Sequence, residues 1–311
     1  MYLRSCSRVL LPLFQSRLFG GNHRSTTLLL RSMSADASFK YDYETLAVTQ
    51  PAEWVKQVEM NRPAKRNAMN PTFYREITEC FKQLAVDGDC RVVLLTGAGK
   101  MFTAGLDLTE AASLFSADLE PGRRAMALKH KVSEMQESHT VMEKCLKPVI
   151  AAVHGGCIGG GLDMITACDI RLCTEDAWFQ IKEVDLGLAA DLGTLQRFPK
   201  IAGNDSWVRE LVYTARKFSS EEAKNRGLVS QVFATREAMQ EASLEMAKEI
   251  ASRSPVAVQT SKASVIFARD HGVPDGLNDV TTWNAAMLQS EDLMKAIAAL
   301  MQKTEPKFSK L

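Results

Sequence analysis

An α/β fold is predicted because short apolar runs typical of buried strands alternate with segments whose apolar residues recur at helical spacing. Strands are expected near 54–59, 91–96, 148–153 and 169–173. Helices are expected over 71–85, from near Leu106, over 122–144 and over 161–167. Further helices near 205–215, 236–252, 256–268 and 276–301 make the C-terminal third almost wholly helical. No low-complexity linker interrupts this order.

The most informative strand begins at Lys147. The run KPVIAAVHGG is strand-like because its apolar residues lie between Pro148 and a glycine pair, and LDMITACD beyond it has helical spacing. The loop between them carries a glycine cluster, namely Gly155, Gly156, Gly159, Gly160 and Gly161. A bare loop that leads into a helix leaves backbone N–H groups free, and these groups can stabilise negative charge on a ligand oxygen.

A second segment, CRVVLLTGAGKMFTAGLDL, repeats this arrangement upstream. An apolar strand over 92–95 is followed by Gly97 and Gly99, and then by Ala104-Gly105-Leu106-Asp107. An isolated glycine pair is usually only a tight turn, but two bare loops on parallel strands could each supply one N–H to the same oxygen. A dinucleotide fingerprint does not fit, because G-x-G-x-x-G matches at no offset through the glycine cluster.

Composition favours an enzyme that acts on a small molecule. The 311 residues include 46% hydrophobic residues, enough for a large core, and carry a net charge of only +1. Basic residues are scattered and form no stripe with interleaved aromatic residues, so no nucleic-acid partner is predicted.

The cysteines and histidines predict neither disulfides nor a metal site. The seven cysteines form no C-x-x-C pair, and several lie in apolar patterns, which is typical of reduced core residues. The five histidines have no ligand spacing. His154 is the histidine nearest the glycine cluster, and it is interpreted as a packed or hydrogen-bonded structural residue.

Both ends of the chain resemble targeting signals. Residues 1–36 contain five arginines before the first acid, Asp36, which is the pattern of a mitochondrial transit peptide. Their apolar stretches are too short to span a membrane. The final Ser309-Lys310-Leu311 has the form of a peroxisomal address. Location in both the mitochondrial matrix and the peroxisome is therefore expected.

Several segments together resemble the crotonase, or enoyl-CoA hydratase/isomerase, superfamily. They are NRPAKRNAMN, GAGKMFTAGLDL, KPVIAAVHGGCIGGGLD, ACDIRLC and FQIKEVDLGLAADLGTLQRFPK. The resemblance extends from about Glu53 to the C-terminal helices. It implies a crotonase-type spiral of ββα turns over 37–254 and a helical region over 255–311 that packs homotrimers, which pair into homohexamers.

The resemblance also implies the substrate, an acyl-coenzyme A thioester, and no metal or redox cofactor, since coenzyme A is part of the substrate. Removal of a C2 proton would form an enolate whose charge gathers on the thioester oxygen, and family position assigns its two donors to the backbones of Leu106 and Gly160. Coenzyme A binding is assigned to Lys65, Arg66, Asn67 and Ala68 and to the loop Ala104, Gly105, Leu106, Asp107 and Leu108. Lys65 and Arg66 would also fit an ordinary solvated turn.

Three acids complete the predicted site. Family position makes Glu183 a catalytic base whose pKa is raised by apolar surroundings. Asp163 stands where the hydratases have a glutamate, which counts against hydration. The local pattern around Asp191 favours a helix N-cap, because Leu192 to Phe198 look helical. The resemblance instead makes Asp191 a third catalytic acid, as in members that isomerise 3,5-dienoyl to 2,4-dienoyl thioesters: Glu183 would act at C2 and Asp191 at C6, while Asp163 tunes or orients its neighbours.

Other activities remain open at this point. An enoyl-CoA hydratase or a Δ3,Δ2-enoyl-CoA isomerase would use the same loops, and so would a 1,4-addition enzyme or a thioester hydrolase of this fold. A non-catalytic relative that binds RNA or acts as a scaffold is a different class. The presence of all three acids and both donor loops argues against that class.

Overall fold

The computed structural model describes residues 39–109 and 119–311, and within them it contains two sheets. In chain order the strands are Leu46–Ala52, Val55–Met60, Val92–Gly97, Val149–Val153, Gly156–Ile158, Ile170–Thr174, Trp178–Gln180, Phe218–Ser219 and Gln231–Phe233, numbered β1 to β9. The larger sheet has the order β1-β2-β3-β4-β6-β9, and the smaller has the order β5-β7-β8. Strands β2, β3, β4, β6 and β9 pair in parallel, while β1 is antiparallel to β2. The predicted α/β class is confirmed.

Ten helices accompany the sheets in the described ranges. They are Pro71–Val86, Pro121–Lys144, Gly160–Thr166, Thr194–Ala202, Asp205–Thr214, Ser220–Asn225, Arg236–Ala251, Pro255–Asp270, Val273–Met287 and Glu291–Gln302, numbered α1 to α10. Short 3-10 turns lie at Pro63–Lys65 and Glu183–Leu186. Of the helix predicted from near Leu106, only Leu108 and Thr109 are described, and both are helical; residues 110–118 lie outside the described residues. The predicted transit peptide, 1–36, also lies outside them.

One predicted helix is wrong. The segment 276–301 forms two helices, α9 and α10, separated at Leu288–Ser290. Ser290 has extended backbone and is followed by Glu291 and Asp292 in the first turn of α10. A serine followed by acids is a helix start signal, so the break is local in origin and was missed because the apolar periodicity continues across it.

Several short strands were not predicted from the sequence, among them β5, β7, β8 and β9. Each has only two or three residues and so shows no alternation. Their backbone groups pair with segments distant in sequence, for example Cys157 with Phe179 and Cys173 with Val232. Local pattern cannot predict such pairing.

The two central strands of the larger sheet, β3 and β4, are buried on both faces. Val93 and Leu95 of β3 pack into a core with the phenylalanines of α1, whereas Val92 and Leu94 face α7 on the other side. Val93 pairs with Val149 and Leu95 with Ala151, so β3 and β4 run in parallel and end at the same edge. The loops that follow them must therefore be neighbours.

The cysteines have the surroundings that their sequence pattern predicts. The six cysteines in the described ranges are buried and unpaired, as expected for reduced core residues. Among the helices of residues 39–109 and 119–311, none combines the length and the apolar character needed to cross a membrane.

Candidate active site

The two glycine loops contact each other directly. Thr103 pairs with Cys157 through an isolated bridge, and the Thr103 N–H donates to the Gly156 carbonyl at 3.1 Å. Gly105 has a φ of +81°, and a Cβ added there would lie 2.7 Å from the Ile158 carbonyl oxygen. A side chain at this position would separate the loops, so glycine is required where they meet.

The contact leaves two backbone donors free. The Met69 N–H donates to the Gly105 carbonyl at 2.8 Å, and the Asp107 N–H donates to the Met69 carbonyl at 2.9 Å, which fixes Leu106 between them. Gly160 is the first residue of α3. Within the described part of the chain, neither the Leu106 N–H nor the Gly160 N–H has a protein acceptor. Both residues line the same cavity, so these N–H groups can donate to a bound ligand.

This cavity has a volume of about 620 Å³ and is mainly apolar. Its apolar wall comes from the two loops, helix α2 and the segment after β7, and comprises Leu106, Leu108, Leu128, Val132, Met135, Ile158, Leu186, Leu188 and Leu192. The structure brings all three predicted acids to it: Asp163, Glu183 and Asp191. Ala104, Gly105 and Gly160 line it as well. An apolar chamber with a few converging polar groups is typical of a ligand site.

Glu183 has the most unusual environment of the three acids. It begins the 3-10 turn after β7 and is 9% exposed, and no group in the described ranges hydrogen-bonds its buried Oε2. Its Oε1 faces Gly159, at 3.1 Å from the place where a Cβ would be. Burial, followed by the negative charge of Asp163, raises the pKa of Glu183 to about 7. A carboxylate with this pKa is suited to accept a proton near neutral pH.

Asp163 has a structural bond in addition to its place in the cavity. It lies in the first turn of α3, is 1% exposed, and its Oδ1 accepts the Thr194 N–H at 2.6 Å. Thr194 is the first residue of α4, so Asp163 satisfies one of the free N–H groups of that helix. It thereby ties the end of the Asp191 segment to the glycine loop.

Asp191 is not a helix cap, so the interpretation from its local pattern is wrong. Helix α4 begins at Thr194, the residue before it is Gly193, and the capping acceptor comes from Asp163 instead. Asp191 is exposed at the cavity, and its carbonyl accepts a 2.7 Å hydrogen bond from Gln136 Nε2. Partial burial, followed by the charge of Asp163, raises the pKa of the Asp191 carboxyl above its usual range. A raised pKa favours the protonated form that a proton donor needs.

The residues predicted to bind coenzyme A are divided between two settings. Lys65 and Arg66 are exposed beside the first 3-10 turn, where they are free to meet a large ligand. Asn67 and Ala68 are buried, and Asn67 Nδ2 lies within hydrogen-bond distance of the Ala98, Met101 and Phe102 carbonyls. These hydrogen bonds hold the backbone of the first glycine loop in place, so the Asn67 side chain has a structural role in that loop.

Asp107 likewise supports the loop. Its carboxylate is 5% exposed, accepts a hydrogen bond from Thr109 and forms a 3.0 Å ion pair with Arg62. Hydrogen bonds from Thr109 and Arg62 hold the pKa of Asp107 below its usual range. Among the described residues that line the cavity, Asp107 and residues 65–68 are absent.

Two residues at the site, Tyr74 and His139, were not predicted from the sequence. Tyr74 lines the cavity and is 6% exposed; burial raises its pKa, and so do the charges of Asp163, Asp191 and Glu183, so its hydroxyl remains protonated beside the acids. His139 is fully buried, with Nε2 at 3.2 Å from the Gly160 carbonyl. Both residues lie on helical faces without any motif. His154 is a hydrogen-bonded structural residue, as predicted, with Nε2 at 3.0 Å from the Gly99 carbonyl.

Two adjoining loops with free N–H groups, set in an apolar cavity with carboxylates, define an enzyme that can hold an enolate. A family model described as enoyl-CoA hydratase/isomerase matches residues 51–310, and the chain belongs to this family. The human mitochondrial Delta(3,5)-Delta(2,4)-dienoyl-CoA isomerase is 49% identical over 321 residues, which cover 98% of each chain. The peroxisomal protein of that name from Arabidopsis thaliana is 47% identical over 255 residues, covering 81% of this chain and 91% of its own. A crystal structure of an enoyl-CoA hydratase from Bacillus anthracis matches with a TM-score of 0.78 and 29% identity, over 86% of this chain and 99% of that one.

Proposed function

We propose that this chain is a Δ3,5-Δ2,4-dienoyl-CoA isomerase. The observation that carries the proposal is the convergence of three carboxylates and two free backbone N–H groups on one apolar cavity. The near-full-length similarity to the human isomerase supports the same activity. A conjugated acyl chain fits the apolar wall, while the acids can reach atoms along it.

The thioester oxygen would lie between the Leu106 and Gly160 N–H groups. Loss of a C2 proton spreads negative charge over a dienolate whose oxygen carries much of it. Two fixed donors stabilise that charge without reorganisation, and losing one such donor typically costs about 10² to 10³ in rate. The bonds that fix Leu106 and the loop contact at Gly105 hold the donors in place before substrate binds.

Glu183 removes the C2 proton and Asp191 delivers a proton to C6. Glu183 is buried with a free oxygen and a pKa near neutrality, which suits a base. Asp191 has a raised pKa and is exposed, so it can take a proton from solvent after each turnover. Glu183 releases the C2 proton to solvent once product has left the cavity, which restores the base. The two carboxylates act at the two ends of the conjugated chain, and the C=C bonds shift between them.

Asp163 favours isomerisation over hydration. Hydration by this fold uses two carboxylates to hold a water, but one Asp163 oxygen is already occupied by the Thr194 N–H. The charge of Asp163 instead raises the pKa of both neighbouring acids. The role of Asp163 is therefore to adjust the pKa values of Glu183 and Asp191.

The test is a spectroscopic assay of the purified chain with a 3,5-dienoyl-CoA, in which growth of the 2,4-dienoyl absorbance is followed. A 2-enoyl-CoA is offered in parallel to measure water addition. Faster isomerisation than hydration supports the proposal. Hydration alone would make the chain an enoyl-CoA hydratase.

We further propose that the chain assembles into trimers that pair, and that it works in mitochondria and peroxisomes. Exposed apolar side chains on α9 and α10 support association, among them Leu277, Met294, Leu300 and Met301. For the two compartments, support comes from the relatives, one named mitochondrial and the other peroxisomal. The acid-free, arginine-rich 1–36 agrees with mitochondrial import.

A further inference from the structure

Helix α2 places a buried histidine against the glycine loop. His139 is 0% exposed, and both of its ring nitrogens have polar neighbours. Nε2 lies 3.2 Å from the Gly160 carbonyl oxygen. Nδ1 lies 2.9 Å from the Ser138 hydroxyl and 3.0 Å from the Met135 carbonyl oxygen. The Tyr74 ring packs nearby, and its centroid lies 6.1 Å from the centroid of the His139 ring.

A hydrogen bond to the Gly160 carbonyl requires the proton of the ring to lie on Nε2. Burial lowers the pKa of His139 although the charge of Asp163 opposes this, so the ring is neutral and has a single N–H. The Gly160 carbonyl oxygen can only accept, so the contact at Nε2 is a hydrogen bond when Nε2 carries the proton. Nδ1 can then accept from the Ser138 hydroxyl, which also lies 2.6 Å from the Met135 carbonyl oxygen and must turn its hydrogen from that oxygen to Nδ1. With the proton on Nδ1 instead, the ring would donate to the Met135 carbonyl, and Nε2 would face Gly160 without a hydrogen bond.

The bonded carbonyl belongs to the residue that supplies the second donor. Gly160 has no side chain by which packing could hold it, and its predecessor, Gly159, has a φ of +52° and provides no side-chain cap for α3. A Cβ added to Gly160 would lie 3.1 Å from Met69 Sδ and 3.9 Å from His139 Nε2. The backbone of Gly160 is thus held between Met69 and the histidine ring.

We propose that His139 is a positioning residue, whose Nε2–H bond to the Gly160 carbonyl aims the Gly160 N–H at the thioester oxygen. The proposal rests on the proposed function, because it assigns that N–H to the oxyanion. The Gly159 carbonyl, in the same peptide unit as the Gly160 N–H, also accepts the Leu162 N–H at 2.7 Å, so loss of the His139 bond removes one of two anchors. The donor then loses part of its alignment with the charge that develops in the transition state. Substrate binding depends less on this alignment, so the effect falls on the chemical step.

The test compares His139→Leu with His139→Gln. Leucine removes the donor while it keeps an apolar volume, and glutamine returns an N–H donor on a side chain of similar reach. His154→Leu is the matched control, since His154 also places Nε2 against a glycine carbonyl, that of Gly99, but does not line the cavity. Melting temperature is measured for all three variants.

Two readouts are used with each variant. One is isomerisation of a 3,5-dienoyl-CoA, with kcat and KM determined separately. The other is exchange of C2 protons of an acyl-CoA in deuterated water, which needs only the base and the oxyanion donors. Exchange therefore tests His139 even if the chain turns out to catalyse another reaction of the family, while a wild-type chain that exchanges C2 protons but does not isomerise dienes contradicts only the proposed function.

We expect His139→Leu to lower kcat and the exchange rate by about 10- to 100-fold while KM changes by less than about threefold. His139→Gln should recover most of the loss, and His154→Leu should retain wild-type kcat. A wild-type exchange rate in His139→Leu overturns the proposal. So does a His139→Gln variant that is as impaired as His139→Leu, because the role would then be packing alone.

Discussion

At the scale of single residues, the cavity works by placing carboxylates where their charge is disfavoured. Glu183 is nearly buried, one of its oxygens lacks a hydrogen bond in the described part of the chain, and Asp163 adds a second negative charge. Both effects raise its pKa to about 7. The folded protein therefore maintains a base that is ready at neutral pH, at some cost in stability.

That cost can be measured with Glu183→Gln. Because the pKa of Glu183 is raised from 4.5 to about 7 on folding, the folded state binds its proton more tightly, and stability is lost as pH rises through this window. The free energy of unfolding of Glu183→Gln, relative to that of wild type, should increase by on the order of 1 to 3 kcal/mol between pH 4.5 and pH 8. Urea unfolding at both pH values measures this. An equal difference at the two pH values would contradict the raised pKa.

The pH profile of the reaction gives a second prediction. Since Glu183 must be ionised to act, and kcat/KM reports the free enzyme, kcat/KM should rise with pH around an apparent pKa near 7. Asp163→Asn removes the neighbouring charge but retains an oxygen for the Thr194 N–H, so the rise should move to lower pH. Asp185→Asn is the control, because Asp185 is exposed and pairs with Lys182. A profile unchanged by Asp163→Asn would rule out this coupling.

Asp191→Asn separates the two ends of the reaction. Because α4 takes its cap from Asp163, the substitution should leave the melting temperature nearly unchanged. Asparagine cannot deliver a proton to C6, so isomerisation should fall by about 10² to 10⁴. Deuterium exchange at C2 should persist, since Glu183 and both donors remain. Full isomerase activity in this variant would remove Asp191 from the mechanism.

At the scale of elements, the site depends on the contact between two loops that leave parallel strands. Strands β3 and β4 are fixed side by side because both of their faces are buried. Helix α2 then supports the second glycine loop through His139 at Gly160, and the segment before α4 through Gln136 at Asp191. The donors and the acids are thereby held on rigid elements, which preserves their geometry before substrate arrives.

Gly105→Ala tests this contact. Alanine would be strained at a φ of +81° and its Cβ would meet the Ile158 carbonyl, so the loops must separate. We expect a loss of about 1 to 3 kcal/mol in unfolding free energy together with a large loss of kcat. Gly203→Ala is the matched control: its φ is +64° but no atom lies within 4 Å of the added Cβ. It should lose stability and retain activity. A Gly105→Ala variant with normal kcat would show that loop contact is unimportant.

At the scale of the whole molecule, the C-terminal helices carry apolar residues that one chain leaves exposed. Helix α9 has no buried residue, and Leu277 on it is 62% exposed, while Leu300 and Met301 on α10 are 80% and 81% exposed. Such a surface is typical of an interface between subunits.

The double substitution Leu300→Glu with Met301→Glu should therefore reduce the mass in solution. We expect light scattering to give a trimer or hexamer for the wild type and smaller species for the variant, because charge at a buried interface is strongly unfavourable. Val86→Glu, at the exposed end of α1, serves as the control. A monomeric wild type would overturn the proposed assembly.

Sequence alone determined the features that depend on neighbouring residues. The buried strand after Pro148, the glycine loops and most helices follow from local apolar spacing and from residues that start or stop elements. The resemblance of five segments to one family then identified that family and assigned roles to the three acids. Short strands such as Trp178–Gln180 escaped, because their hydrogen bonds join segments far apart in the chain.

Only the tertiary structure decided what surrounds each acid. The cap of α4 comes from Asp163, which lies 31 positions before Thr194, and the support for Gly160 comes from His139 on another helix. Burial and neighbouring charge set the pKa of Glu183, and both depend on what the fold packs around it. Residue type and spacing name the groups available for chemistry, but desolvation and hydrogen bonding act through space, so the properties of these groups arise only when distant segments meet.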